Sequence, residues 1–163
     1  MGQGMPIIVV SLALGALMWG LIARWYVMPV LATRPRAEAL IPLLVPHALR
    51  YVGLGFIVVG VVAPEINPTF AQAAAYGDLL ASVLALLAIV ALRLRWALAI
   101  PLVWVFNIEG TLDMLYVVSY AIQHVDAGQL GGMYFVPTLL VPIMLVTHIM
   151  IFQLLLRRMN LEP

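Results

Sequence analysis

Four charged side chains lie in stretches that otherwise look like membrane-spanning helices: Arg50, Asp78, Glu109 and Asp113. A charge near the middle of a bilayer is unfavourable by several kcal/mol unless it is paired or hydrated. The chain has only eight basic and seven acidic residues, and most of them lie outside the apolar stretches. These four residues are therefore the first candidates for a functional site.

Two pairs of polar residues are spaced so that each pair shares one helix face. Glu109 and Asp113 are four residues apart, and His47 and Arg50 are three apart. At about 1.5 Å per residue both pairs fall near the middle of their helices, and His148 falls at a similar depth. We therefore expect Arg50 to pair with Asp113 or Glu109, with the two histidines beside the pair.

These residues predict a polar site inside an apolar helical bundle. Mostly apolar walls with a few convergent polar groups are typical of small-molecule sites. The pattern favours binding of a small apolar or lipid-like molecule, or a role as an accessory subunit of a membrane complex. The predicted ligand-binding residues are His47, Arg50, Asn107, Glu109, Asp113 and His148.

Two other functions are consistent with the same residues. Glu109 and Asp113 are candidate catalytic groups of an intramembrane acid–base enzyme, such as an isomerase of a lipid-like substrate, because a carboxyl group kept neutral by burial can donate a proton. His47 and His148 are candidate ligands of a haem, or of another metal ion together with a carboxylate. The sequence does not identify the cofactor.

Two positions are open to alternative interpretations. Asp78 either caps the outer start of the third span or joins the central cluster. The second span begins either at Ala39 or near Pro46, and in the latter case Arg50 extends to the interface and His47 is no longer buried. An ion pair between Arg50 and one carboxylate can also be purely structural.

The composition places these residues in a polytopic membrane protein. The 163-residue chain is 65% hydrophobic and 9% charged, with a mean hydropathy of +1.12, whereas soluble domains carry roughly 25% charged residues. We expect one all-α domain over residues 1–163, a compact bundle of five transmembrane helices of about 20 residues each. The predicted spans are 6–23, 39–62, 71–92, 97–122 and 132–156.

Small residues recur along the predicted third span. Ala71, Ala74, Ala81 and Ala85 are spaced by three, seven or four residues, with Gly77 nearby. Small side chains at this spacing let helix backbones approach closely within a membrane. The third span is therefore predicted to pack tightly against its neighbours.

The distribution of arginines predicts the orientation. Arginines occur in the first and third links and in the tail, whereas the second and fourth links carry only acidic residues among their charged side chains. By the positive-inside rule the N-terminus lies outside and the C-terminus lies in the cytoplasm. This asymmetry, without a targeting signal, indicates a plasma membrane, specifically a bacterial inner membrane. The residues are Arg24, Arg34, Arg36, Arg93, Arg95, Arg157 and Arg158 on one side, and Glu65 and Asp126 on the other.

Residue types that are missing exclude several functions. The chain has no lysine for a Schiff base and no cysteine for a thiolate site or a disulfide. It has no glycine-rich phosphate loop, and a net charge of +1 does not indicate a nucleic-acid partner. The expected partners are the lipid bilayer, a small apolar ligand, and a membrane-protein partner or a second copy of the chain.

Overall fold

The computed structural model describes residues 5–157, and this part of the chain is helical, with one isolated β-bridge between Val59 and Val62 and no strand. Five segments are long and apolar enough to cross a membrane, so the prediction of an all-helical chain with five such segments is confirmed. The segments are Pro6–Ala32, Arg36–Ile57, Pro68–Arg93, Ala99–His124 and Val136–Leu156.

Six α-helices and four shorter 3₁₀ or π segments make up these stretches. The α-helices are α1 (Met5–Ile22), α2 (Met28–Ala32), α3 (Arg36–Ala48), α4 (Pro68–Arg93), α5 (Ala99–His124) and α6 (Val141–Leu156). A π turn at Ala23–Val27 joins α1 to α2, and another at Val136–Leu140 leads into α6. A 3₁₀ helix at Arg50–Ile57 follows α3, and one at Ala127–Tyr134 follows α5.

The first helical segment is longer than the sequence predicts. The helical segment does not stop at Ala23 but continues to Ala32, with Arg24 inside the π turn that joins α1 to α2. A single arginine does not end an apolar helix, because its long side chain can reach water while its stem stays in apolar surroundings. The first link is therefore shorter than predicted.

The second segment begins at Arg36 rather than at Ala39, and its 3₁₀ part ends at Ile57 rather than at Val62. Gly60 follows with a φ of 84°, a left-handed conformation that favours glycine and turns the chain. The alternative start near Pro46 is wrong.

The other three segments also differ from their predicted bounds. The third starts at Pro68 rather than Ala71, because the Asn67 side chain caps the helix by accepting backbone hydrogen bonds from Thr69 and Phe70. The fourth is Ala99–His124 rather than 97–122. The fifth begins at residue 136 rather than 132, because the chain first forms the 3₁₀ helix at Ala127–Tyr134 and bends at Gly131, where φ is 50°.

At one end of the bundle, which we call the cap end, two links cover the helices. These links, residues 58–67 and 125–135, are joined by backbone hydrogen bonds and together form the cap. The bonds are Ala63 N–H to the Gln129 carbonyl, at 2.9 Å, and Gly132 N–H to the Val61 carbonyl, at 2.8 Å.

The opposite end, which we call the arginine end, is connected through Arg157. Its guanidinium donates to the Ala32 carbonyl at 2.9 Å, and the Arg36 guanidinium donates to the backbone carbonyl of Arg157. The last turn of α6 is thereby linked to the end of α2 and the start of α3. Arg158, the other arginine of the predicted tail, lies outside the described residues.

Helix α4 lies at the centre of the fold and packs against α3, the 3₁₀ helix Arg50–Ile57 and α5. The alanines predicted to allow close packing lie on its buried face. Ala81 and Ala85 are 0% exposed, and Ala71 and Ala74 are also buried. The expectation of tight packing along this helix is confirmed.

Two separate apolar cores stabilise the two halves of the bundle. One lies toward the arginine end, the other lies under the cap, and polar residues separate them. The first includes Leu40, Leu44, Phe106 and Ile151, and the second includes Phe56, Phe70, Leu130 and Met133.

The packing of α1 against α6 includes one close contact, at Gly15. A Cβ on Gly15 would lie 2.8 Å from Cγ of Pro142, whereas a Cβ on Gly20 would meet no atom within 4 Å. We expect Gly15→Leu to lower the free energy of unfolding by about 1–3 kcal/mol, because overpacking forces the two helices apart. Titration with SDS in dodecylmaltoside micelles measures this loss.

Gly20→Leu is the matched control on the same helix. It adds the same side chain in open space and raises helix propensity by up to about 1 kcal/mol, so stability should be kept or increased. Equal destabilisation by the two variants would show that Gly15 is not a packing contact.

Candidate functional site

Arg50 is the first residue of the 3₁₀ helix that follows α3, and its side chain is only 3% exposed. The change from α to 3₁₀ geometry coincides with Gly53 and Gly55, residues of low helix propensity. The Ala48 carbonyl at the end of α3 accepts a hydrogen bond from the Ser82 hydroxyl at 2.7 Å. Arg50 is thus placed against the face of α4.

The guanidinium of Arg50 is bound by three groups that belong to two helices, α4 and α5. Its Nε donates to Oδ1 of Asp78 at 2.7 Å, and its Nη2 donates to Oδ2 of Asp113 at 2.5 Å. Its Nη1 donates to the Gly110 carbonyl at 3.2 Å. Distances near 2.7 Å are typical of hydrogen bonds between charged groups. We call Arg50, Asp78 and Asp113 the charged triad.

Each member of the charged triad is packed against a glycine of a neighbouring element. A Cβ at two of these glycines would overlap a carboxylate of the triad, and a Cβ at the third would lie 3.0 Å from Nη1 of the guanidinium. The absence of a side chain therefore makes room for the ion pairs. The three contacts are Gly53 with Asp78, Gly77 with Asp113, and Gly110 with Arg50.

The interpretation of Asp78 as a cap of the third span is wrong. The cap of α4 is Asn67, and Asp78 lies well inside the helix with its side chain on Arg50. The sequence did contain a signal for this position. Asp78 lies four residues after Ala74 and three before Ala81, so it interrupts the same small-residue face that packs against the neighbouring elements.

The structure brings Arg50 and Asp113 together, as the spacing predicts, but it does not place Glu109 on Arg50. The second partner of Arg50 is Asp78. Glu109 is half-buried one turn from Asp113, and its Oε2 is buried without a hydrogen-bond partner among residues 5–157. The predicted candidate Glu109 therefore lies beside the charged triad but is not part of it.

The two predicted histidines form a second polar group, which we call the histidine pair. His148 Nδ1 donates to Oδ1 of Asn107 at 2.7 Å, and the Asn107 amide donates to the His148 carbonyl at 3.2 Å. His47 Nε2 is 2.9 Å from the Thr147 hydroxyl. His47 and His148 are almost completely buried, with relative exposures of 0% and 1%. Both are held through neutral side chains.

The histidine pair does not fit axial ligation of a haem. The two ring centroids are 4.2 Å apart. A metal–imidazole bond is about 2.0 Å long, so an iron between two axial histidines would hold the ring centres roughly 6 Å apart. The described part of the chain also contains no group of three His, Asp or Glu residues placed to hold a metal ion.

A cavity of about 240 Å³ extends from the charged triad toward the cap. All members of the charged triad line it, and the remaining lining side chains are apolar. They come from α1, the 3₁₀ helix Arg50–Ile57, α4, α5, the cap and the start of the fifth segment. The lining includes Leu12, Phe56, Phe70, Ala74, Val118 and Met144.

The cavity reaches the side of the bundle between α1 and α5. Val9 of α1 and Ile122 of α5 both line it, and their relative exposures are 54% and 53%. Val125 and Leu130 of the cap cover its other end. The cavity is therefore lined by exposed apolar side chains of both helices as well as by the charged triad.

The profile of a protein family described as "Domain of unknown function (DUF8737)" matches residues 7–156, which is nearly the whole chain. The chain therefore belongs to this family. No curated protein matches it, and no solved structure matches it.

The charged triad predicts a non-additive response to loss of its carboxylates. Asp78→Asn or Asp113→Asn alone leaves Arg50 paired with one carboxylate, and this pair has no net charge. Each single variant should therefore lower the free energy of unfolding by only about 1 kcal/mol. The double variant leaves the buried guanidinium unpaired and should cost about 3–5 kcal/mol. SDS titration in dodecylmaltoside micelles measures the three values.

Glu109→Gln is the control, since it removes a neighbouring carboxylate that does not contact Arg50. It should change the free energy of unfolding only slightly, both alone and in combination with Asp78→Asn or Asp113→Asn. Additive losses in the Asp78/Asp113 double variant would show that the two carboxylates do not share Arg50.

Proposed function

We propose that this member of the family binds a small apolar or lipid-like molecule in the cavity, with the polar end of the molecule on the charged triad. The observation that carries the proposal is the cavity itself, in which apolar walls converge on three charged side chains. This combination is the usual form of a small-molecule site. A cavity of purely structural origin would not need buried charges in its wall.

The surroundings of the cavity favour a ligand that arrives from the bilayer. The apolar helices indicate association with a membrane. Exposed Val9 and Ile122 lie at the lateral edge of the cavity, while the cap covers the end of the bundle. An apolar molecule dissolved in lipid can therefore reach the charged triad without crossing water.

We further propose that all five segments span a bacterial inner membrane, with the cap end outside. The links at the arginine end carry the positive charges, and the cap carries Glu65 and Asp126. By the positive-inside rule the arginine end then faces the cytoplasm. The cavity lies in the outer half of the membrane in this orientation.

Cysteine labelling tests the orientation directly, because the chain has no cysteine of its own. Glu65 and Arg34 are both exposed and lie in links at opposite ends. We expect a membrane-impermeant maleimide to label Glu65→Cys in intact spheroplasts and to label Arg34→Cys only after permeabilisation. The reverse pattern would place the cap in the cytoplasm.

An acid–base enzyme acting on a lipid-like substrate is the second candidate. The observation in its favour is that two carboxylates share one guanidinium in the wall of an apolar cavity. A carboxyl group that stays neutral in such a place can donate a proton to a bound substrate. Asp78 and Asp113, rather than Glu109, are then the candidate catalytic residues. In this case Asp113→Asn would abolish turnover of the extracted molecule and leave its binding intact.

Filling the cavity tests the binding function. Val118 lines the cavity, whereas Leu115 of the same helix is exposed on its outer face. We expect Val118→Trp to lose a small molecule that co-purifies with the wild-type protein, since the indole occupies the space of the ligand. Extraction and mass spectrometry of the purified proteins measure the molar ratio of bound molecule to protein.

Leu115→Trp is the matched control, because it adds the same ring to α5 away from the cavity. It should retain the co-purified molecule at the wild-type ratio. A wild-type protein without a bound molecule, or equal occupancy in all three proteins, would contradict the proposed function.

A further inference from the structure

We infer that the molecule bound in this cavity is a cationic amphiphile, with an amine head group on Asp78 and Asp113 and a hydrocarbon body along the apolar walls. The inference rests on the proposed function and names the ligand class of that site. It follows from the charge of the charged triad, from its unused hydrogen-bonding atoms and from the shape of the cavity.

The charged triad has one more carboxylate than it has cations. Arg50 is the single guanidinium between Asp78 and Asp113. His148 does not supply the second cation, because its Nδ1 already donates to Asn107 and its buried Nε2 has no acceptor among residues 5–157. A protonated His148 ring would thus carry an unpaired N–H. Since an uncompensated charge in an apolar site is unfavourable, a cationic ligand supplies the missing positive charge.

The carboxylates are the more accessible polar groups of the charged triad. Three of the five N–H groups of Arg50 donate hydrogen bonds within the protein, and its side chain is only 3% exposed. Oδ2 of Asp78 and Oδ1 of Asp113 accept no hydrogen bond from the described residues, and the two side chains, which line the cavity, are 15% and 13% exposed. An ammonium group donates up to three hydrogen bonds and carries the complementary charge. A fatty-acid carboxylate offers neither.

The apolar part of the cavity limits the size of the hydrocarbon part of the ligand. Its volume of about 240 Å³ is below the range of about 300–1,000 Å³ for drug-sized sites. A single alkyl chain or one ring on a short chain fits this space, with the remainder of a longer chain extending past Val9 and Ile122 into the bilayer. The ligand class is therefore a simple lipophilic amine.

Three probes with the same number of carbon atoms and different head groups test this inference: 4-phenylbutylamine, 4-phenylbutanol and 4-phenylbutyrate. The full chain is placed in phosphatidylcholine nanodiscs at neutral pH, empty nanodiscs correct for partitioning, and calorimetry gives each Kd. We expect the amine to bind at least about tenfold more tightly than the alcohol, because its hydrogen bonds join opposite charges. The carboxylate should bind most weakly.

Two variants locate the binding. Asp113→Asn removes the surplus charge and should reduce the preference for the amine to about threefold or less, since Arg50 then neutralises the remaining carboxylate of Asp78. Val118→Trp should weaken binding of the amine and the alcohol alike. Glu109→Gln lies outside the cavity and should leave both values unchanged.

The outcomes separate this inference from the proposed function. Equal affinities for amine and alcohol, both weakened by Val118→Trp, would overturn the cationic class and leave binding in the cavity standing. An amine affinity that neither Asp113→Asn nor Val118→Trp changes would place the probe elsewhere and also overturn the inference. The extraction of co-purified molecules from the wild-type and tryptophan variants decides the proposed function independently.

Discussion

The buried guanidinium of Arg50 is the interaction on which the arrangement of the helices depends. It is bound by Asp78 of α4, by Asp113 of α5 and by the Gly110 carbonyl, between the two apolar cores. Because successive residues of an α-helix differ by about 100° around its axis, a shift of α4 by one residue would turn Asp78 away from Arg50. The ion pairs therefore tie the register of α4 to the position of Arg50.

The same constraint explains the glycines beside the charged triad. A salt bridge buried between helices is favourable only with good geometry, and the carboxylates of Asp78 and Asp113 occupy space where Gly53 and Gly77 have no side chain. The alanine face of α4 continues this close packing toward the arginine end. Apolar packing and charge pairing therefore require the same helix register.

The sequence predicts the helical segments and part of the site. Hydropathy gave the five segments because each is long and apolar, and the spacing of His47, Arg50 and Asp113 placed them at a similar depth. Neither hydropathy nor spacing predicts how one helix is rotated against another, and this rotation decides that Asp78 rather than Glu109 contacts Arg50. The alanines on either side of Asp78 contain part of that information, because their spacing places Asp78 on the packed face of α4.

The composition of the charged triad distinguishes it from the histidine pair. In the triad two carboxylates share one guanidinium, and both side chains line an apolar cavity. The histidine pair is bound instead by Asn107 and Thr147 through neutral hydrogen bonds, and it does not line the cavity. In the proposed function, the surplus carboxylate is the group that meets the polar end of the bound molecule.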